Sequence, residues 1–139
     1  MTDELWVLDA ETTVFSRAKG IIVSTLKSAY PDIDVTESDC ANEDAKFPTV
    51  YIHALQPYER GNDLENDGIN AVDLTYQVEV YVTKAQNLEV ARKVSSVVVN
   101  AFKSMRFNAT MPEIQTNTPT GTLRSIMRFS RILGSNETI

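Results

Sequence analysis

Cysteine and histidine, which supply many catalytic nucleophiles, general bases and zinc ligands, are scarce in this chain. It contains one histidine, His53, and one cysteine, Cys40. A thiol and an imidazole can form a nucleophile–base pair, but a third group must orient the imidazole, and neither residue has such a context. A zinc site needs three or four ligands, which the sequence does not supply at any recognisable spacing. We therefore predict an ordinary thiol, a part-buried strand histidine, no cofactor or metal, and no enzymatic activity.

An acidic stretch, residues 56–70, is a second candidate for chemistry. The spacing Asp63-x-Glu65-x-Asp67 imitates the start of a calcium-binding loop, but the glutamate that should close such a loop is absent. A catalytic pair of carboxylates would have to be fixed in a cleft, and acids on a loop do not keep that geometry. We interpret the stretch as a solvated loop of about fifteen residues, a length typical of functional or disordered loops.

Three arginines, Arg124, Arg128 and Arg131, are interleaved with apolar residues near the end of the chain. Basic and aromatic residues on a strand can bind single-stranded nucleic acid by stacking and charge. However, the net charge of −6 disfavours binding to phosphates. Arg124 and Arg128 share the parity of Ser130 on the predicted solvent side, and guanidinium groups suit carboxylate partners. We favour an inter-subunit or cross-strand ion-pair role, with nucleic-acid binding as the alternative.

The strongest structural signal lies in residues 71–83, where apolar and polar side chains alternate. A period of two is typical of a half-buried strand with one apolar and one polar face. Shorter strands are predicted over residues 32–37 and 47–55. The second of these is expected to pair with residues 71–83 as an antiparallel hairpin whose long tip is the acidic loop.

Two helices are predicted from apolar residues at three- and four-residue steps, over residues 11–30 and 87–106. Asp9 and Thr12 are candidate N-caps of the first helix, and Pro31 should end it. Residues 5–7 are expected to precede this helix and fold back onto it. Strands over residues 111–118 and 122–133 follow the second helix, joined by a turn at residues 119–121.

The element order α-β-β-β-α-β-β predicts an α+β fold. We expect an antiparallel or mixed sheet of about five strands with both helices packed on one face. The 139 residues, 42% hydrophobic and 23% charged, fit one domain spanning residues 1–139. No stretch approaches the roughly 18 apolar residues that span a bilayer, and the acidic start is unlike a secretory signal. An intracellular protein is therefore expected.

Several strings in this layout resemble those of a known family. They are Phe-Pro-Thr-Val-Tyr-Ile at 47–52, a charged loop, and Tyr-Gln-Val-Glu-Val-Tyr-Val-Thr at 76–83. An amphipathic helix ending near Phe107 follows, and then the strand Leu-Arg-Ser-Ile-Met-Arg-Phe-Ser-Arg-Ile at 123–132. From the first helix to Leu133, the chain resembles the tail terminator, or tail completion, proteins of long-tailed bacteriophages and prophages.

The resemblance implies a structural virion-assembly protein. In that family a small α+β subunit forms a hexameric ring that caps the head-proximal end of the tail tube. The ring ends polymerisation of the tube and joins the head completion or connector proteins. The partners implied are other copies of the chain, the tail tube protein and the connector. The family has no catalytic residues, no cofactor and no membrane contact, and DNA would pass through the ring without sequence-specific binding.

The implied location is the host cytoplasm during assembly and then the head-proximal end of the virion tail. By position, nine residues are candidates for contacts with other subunits, the tube or the connector: Tyr58, Glu59, Arg60, Asp63, Glu65, Asp67, Arg124, Arg128 and Arg131. Two alternatives stay open. One is a head–tail connector or head completion subunit, and the other is a small ligand-binding regulatory module.

Overall fold

The structure is a computed structural model that describes residues 5–37, 47–60, 71–83, 85–110, 112–116 and 121–139. In chain order its elements are α1 (Leu5–Leu26), β1 (Asp34–Thr36), β2 (Thr49–Ala54), β3 (Tyr58–Arg60), β4 (Ala71–Thr83), α2 (Asn87–Ser104), β5 (Asn108–Ala109), β6 (Glu113–Gln115) and β7 (Thr122–Gly134).

The described strands form one mixed, seven-stranded sheet in the order β1-β2-β4-β7-β5, with β3 beside β4 and β6 beside β7. β1 runs parallel to β2, and the other described pairs are antiparallel. The pairing of Thr49 with Tyr81 and of Ala54 with Tyr76 matches the expected hairpin. Together with the two helices, this sheet confirms the predicted α+β class.

The centre of the sheet is the pair β4 and β7, each 13 residues long and paired along the whole length. β4 has the predicted bounds, and its even-numbered residues from Val72 to Val82 are all buried. β-branched side chains pack well on such a pleated, half-buried surface. The alternation in the sequence therefore identifies the core face of the sheet correctly.

Both helices pack on this core face. A stripe of α1 and the inner face of α2 belong to the same buried cluster as the apolar residues of β2, β4 and β7. The stripe of α1 comprises Ala10, Val14, Ala18, Ile22 and Leu26. Burying each of the larger side chains contributes about 1.5–3 kcal/mol. No helix in the described part of the chain is long and apolar enough to cross a membrane.

Aromatic side chains hold α2 onto the sheet. The Phe102 ring stacks on that of Phe129 in β7, with centroids 4.3 Å apart and an interplanar angle of 7°. Phe107 meets Phe102 edge-on at 5.4 Å, and Tyr76 of β4 lies 5.7 Å from both Phe102 and Phe107. Such pairs add about 0.5–1.5 kcal/mol each beyond their buried area.

The first helix begins earlier than predicted. Leu5 is already helical, so the expectation that residues 5–7 fold back from outside the helix is wrong. Thr12 lies inside α1, where its hydroxyl donates to the Leu8 carbonyl, and it is not an N-cap; nor is Asp9. The buried stripe continues upstream to Ala10, and the partly buried Trp6 and Val7 also pack against the core, which extends the helix past both candidate caps. The helix ends at Leu26, before Pro31, in a turn closed by the Tyr30 N–H on the Leu26 carbonyl.

Two short strands were not expected. β3 lies within the stretch predicted to be a loop, where Tyr58–Arg60 pairs with residues 71–73 of β4. β5 pairs Asn108 and Ala109 with Ser130 and Phe129 of β7. Strands of two or three residues are too short to show a period in the sequence. They explain why seven strands are described where about five were predicted.

Candidate interaction surface

The face of the sheet opposite the helices is polar and aromatic. Its side chains alternate with the buried ones along β2, β4 and β7. We call this set the outer sheet face: Tyr51, His53, Gln77, Glu79, Tyr81, Arg124, Ile126, Arg128, Ser130 and Ile132. Both described helices belong to the core cluster on the other side, and neither packs here.

An ion pair lies within this face. A terminal guanidinium nitrogen of Arg124 contacts a carboxylate oxygen of Glu79 on the neighbouring strand. The Glu79 side chain is only 8% exposed, whereas that of Arg124 is 33% exposed. The Arg124 guanidinium also lies 6.0 Å from the centroid of the Tyr81 ring. The cross-strand role considered for Arg124 is therefore observed within one chain.

The second arginine of this face, Arg128, has a different partner. Its Nε and one Nη donate to Oε1 of Gln77, directly opposite on β4, at 3.2 and 3.0 Å. Because the acceptor is a neutral amide, this contact orients the guanidinium but does not cancel its charge. Arg128 is exposed, and Ile132 on the same strand and face is 53% exposed. A charged group and an apolar group are thus presented on the same face of a rigid strand, with Ser130 between them.

His53 also lies on the outer sheet face. Its Nδ1 is 3.1 Å from the Tyr51 hydroxyl, and the two ring centroids are 5.7 Å apart. The residue is on a strand as predicted, but it is exposed rather than part-buried. His53 and Tyr51 are two residues apart on β2, so both side chains point to the face opposite the helices. Cys40 lies outside the described residues.

Arg131 occupies a different environment from the other two arginines. It is 6% exposed on the core face of β7, opposite Leu74. One Nη donates to the Met105 carbonyl at 2.9 Å, at the end of α2. The other donates to Glu137 at 3.3 Å and to the Thr138 carbonyl at 3.4 Å. Because these groups surround the Arg131 guanidinium, only Arg124 and Arg128 of the three arginines are candidates for contact with another protein on the outer sheet face. Arg131 is odd-numbered, like the buried residues of β7, whereas Arg124 and Arg128 are even-numbered, so its burial follows from its position in the strand.

The acidic candidates are only partly described. The backbone of Tyr58, Glu59 and Arg60 forms β3 at the edge of β4. Asp63, Glu65 and Asp67 lie outside the described residues. In the part of the chain that the structure describes, no group of three or more His, Cys, Asp or Glu side chains could hold a metal ion.

One concave feature on the helix side was not selected by sequence reasoning. Glu11, Glu37 and Tyr76 line a cavity of about 170 Å³ together with apolar side chains. The three residues are far apart in the sequence, on α1, after β1 and on β4, so no motif connects them. The sequence gives one indication of this cavity, since Tyr76 places a polar hydroxyl on the otherwise apolar face of β4.

The sequence matches no protein-family model and no curated protein.

Proposed function

We propose that this protein is a structural subunit of the tail-terminator type. Copies of the chain would close into a ring, taken as a hexamer, on the head-proximal end of a phage tail tube. The ring would stop tube polymerisation and then join the head connector. Its partners would be its own copies, the tail tube protein and the head completion proteins.

The observation that carries the proposal is the composition of the outer sheet face. Tyrosine and arginine are enriched at the centres of protein interfaces, where flat aromatic and guanidinium groups bury much area at low entropic cost. This face presents Tyr51, Tyr81 and Arg128, together with the exposed Ile132. A surface of this kind suits contact with another protein better than contact with water alone.

The backbone beneath this surface favours rigid docking. β4 and β7 share a ladder of 13 residues, and the helices pack against its other side. Side chains on such a strand pair keep their spacing, which is what a repeated head-to-tail contact needs if a ring is to close. The strands at the sheet edges are short, with three residues in β1 and two in β5, which reduces uncontrolled edge-to-edge pairing.

The charge balance supports a passage for DNA rather than a binding site. The chain has 19 acidic and 13 basic side chains. A net negative surface repels phosphates at distances up to about 8–10 Å at physiological salt. DNA moving through a ring of such subunits would not adhere to its wall.

Size-exclusion chromatography with light scattering, with and without tail tube protein, tests the proposal. We expect either a stable hexamer or a monomer that assembles on tube ends, together with shorter, uniform tubes in electron micrographs. Arg128→Glu and Ile132→Asp should each weaken assembly. Arg92→Glu, an exposed arginine on α2 on the helix side, serves as the matched control and should leave assembly unchanged.

The alternatives give different results in the same experiments. A connector or head completion subunit would bind the connector but leave tube length unchanged. A ligand-binding module would stay monomeric or dimeric, and a metabolite would raise its melting temperature. A chain that remains monomeric with tube ends present, and leaves tube growth unaffected, would overturn the ring proposal.

A further inference from the structure

A cavity of about 170 Å³ lies between the first half of α1, the end of β2 and the middle of β4. Its lining has two chemical parts. The polar part consists of Glu11, Glu37, Tyr76 and Thr12, whose hydroxyl already donates to the Leu8 carbonyl. The apolar part includes Leu8, Phe15 and Ile52. The cavity is on the helix side of the sheet and is separate from the outer sheet face.

The Tyr76 hydroxyl has no hydrogen-bond partner among the described residues. Tyr76 as a whole is 2% exposed. Its ring is held by Phe102 and Phe107, each 5.7 Å away between centroids, so the side chain cannot easily turn toward water. Buried hydroxyl groups in folded proteins nearly always have a partner. A buried hydroxyl without a partner at the wall of a cavity indicates that a polar group of a ligand can form a hydrogen bond with it there.

The two carboxylates make the cavity attractive to a cation. Burial, followed by the nearby charge of Glu37, raises the pKa of Glu11. Burial and then the charges of Glu11 and Glu37 raise the pKa of Tyr76, so its hydroxyl stays protonated. In the described part of the chain, neither glutamate forms a salt bridge. A positive group placed among them would relieve the repulsion between the carboxylates.

We propose that this cavity binds the ammonium group of a primary amine, with the alkyl chain of the amine against Leu8, Phe15 and Ile52. An ammonium group has three N–H donors, which match two carboxylates and the phenol oxygen. An engineered protein cavity of about 150 Å³ holds a benzene molecule, so this cavity has room for a short alkylammonium of about five non-hydrogen atoms. A calcium ion would need six to eight oxygen ligands, more than these residues offer.

The direct test is a titration of the full chain with n-butylammonium chloride, followed by amide chemical shifts. We expect saturable binding with shifts at Glu11, Ile52 and Ala54. Neutral n-butanol has the same apolar chain without the charge, and tetramethylammonium has the charge without N–H donors. Both should bind at least about tenfold more weakly, a difference of about 1.4 kcal/mol.

Variants test two of the three polar groups that would bind the ammonium. Glu37→Gln and Tyr76→Phe should each weaken n-butylammonium binding by about tenfold or more. Glu113→Gln changes an exposed glutamate on β6 and should have no effect. Because Glu37 is exposed and at the end of β1, its variant should fold normally and keeps the test valid if Tyr76→Phe does not fold.

The ammonium group could come from a free amine or from a lysine of a partner protein. A blocked lysine, Nα-acetyl-lysine methylamide, that binds as well as n-butylammonium supports the protein source. Binding of n-butylammonium alone supports a free amine. Equal binding of n-butanol, loss of affinity in Glu113→Gln, or no saturable binding at millimolar amine would overturn the proposal. None of these results depends on whether the protein forms rings.

Discussion

Glu79 and Arg124 form an ion pair across β4 and β7, on the face of the sheet opposite the helices. They are diagonal neighbours, since Glu79 is directly opposite Ile126 and Arg124 is directly opposite Tyr81. The carboxylate is almost completely covered although it lies on the outer sheet face, so Arg124 is the group that makes its burial tolerable.

Arg124→Met should destabilise the fold by about 1–3 kcal/mol. The substitution keeps most of the side-chain volume but leaves Glu79 buried without its cation. Breaking a fully buried pair costs about 3–5 kcal/mol, and the partial exposure of Arg124 reduces that figure. Urea unfolding measures the effect. Arg128→Met is the control, because Arg128 is exposed and bonds a neutral amide, and it should change stability by less than about 0.5 kcal/mol. Equal losses in the two variants would contradict the assignment.

Arg131→Met should destabilise the fold by about 1–3 kcal/mol, mostly through the Met105 carbonyl, since the Glu137 side chain is 54% exposed and water can replace its partner. It leaves the Met105 carbonyl and the Glu137 carboxylate without their shared donor. Arg131→Lys should restore only part of the loss, because one ammonium lacks the forked geometry that reaches both partners. Chemical unfolding of the three proteins gives the ranking, and a Lys variant as stable as the parent would contradict it.

Two glycines should respond in opposite ways to substitution by alanine. Gly20 is exposed inside α1, and an added Cβ would have no atom within 4 Å. Gly20→Ala should therefore stabilise the protein by about 0.5–1 kcal/mol. Gly121, immediately before β7, has a φ of +76°. Alanine adopts such a φ at a cost of about 1–2 kcal/mol, although space for its Cβ is available. Thermal unfolding of the two variants should show shifts of opposite sign, and stabilisation by both would count against this view.

Glu11→Gln should change how stability depends on pH. Burial raises the pKa of Glu11 first, and the charge of Glu37 raises it further; the Tyr76 hydroxyl also faces this group. Because the folded state holds the Glu11 proton more tightly, this residue contributes stability below its unfolded pKa of about 4.3. That contribution is lost as pH rises through the higher folded-state value.

The variant and the parent should therefore have similar stability at low pH, and the variant should be the more stable at neutral pH. Urea unfolding across this range measures the difference. When Glu11→Gln is combined with Glu37→Gln, the gain in stability at neutral pH should be smaller but still present. Burial, which remains, raises the pKa of Glu11 more than the charge of Glu37 does. A gap that does not vary with pH would contradict the explanation.

The parts of the fold that follow from local pattern could be predicted from sequence. The alternation in residues 71–83 gives both the bounds of β4 and its buried face, because one residue of slip would expose every apolar side chain. The start of α1 could not be predicted from capping residues. There the packing of Trp6 and Val7 against the core outweighs the capping preference of Asp9 and Thr12.

The candidate sites depend on contacts between distant residues, and these are less predictable. Parity separates Arg131 from Arg124 and Arg128, so this part was available from the sequence. The approach of Glu11 and Glu37 to Tyr76 depends on how α1 crosses the sheet, which no spacing encodes. A buried tyrosine on an apolar strand face was the only hint of that cavity.

The strand pair at the centre of the sheet also sets a length scale. At about 3.4 Å per residue, 13 paired residues extend about 44 Å, whereas the 22 residues of α1 and the 18 residues of α2 extend about 33 and 27 Å at 1.5 Å each. The strand pair is therefore longer than either helix that packs on it. Its two tips, near Thr83 and near Gly134, are too far apart for one small partner to touch both, so one copy of the chain has room to bridge two separate neighbours.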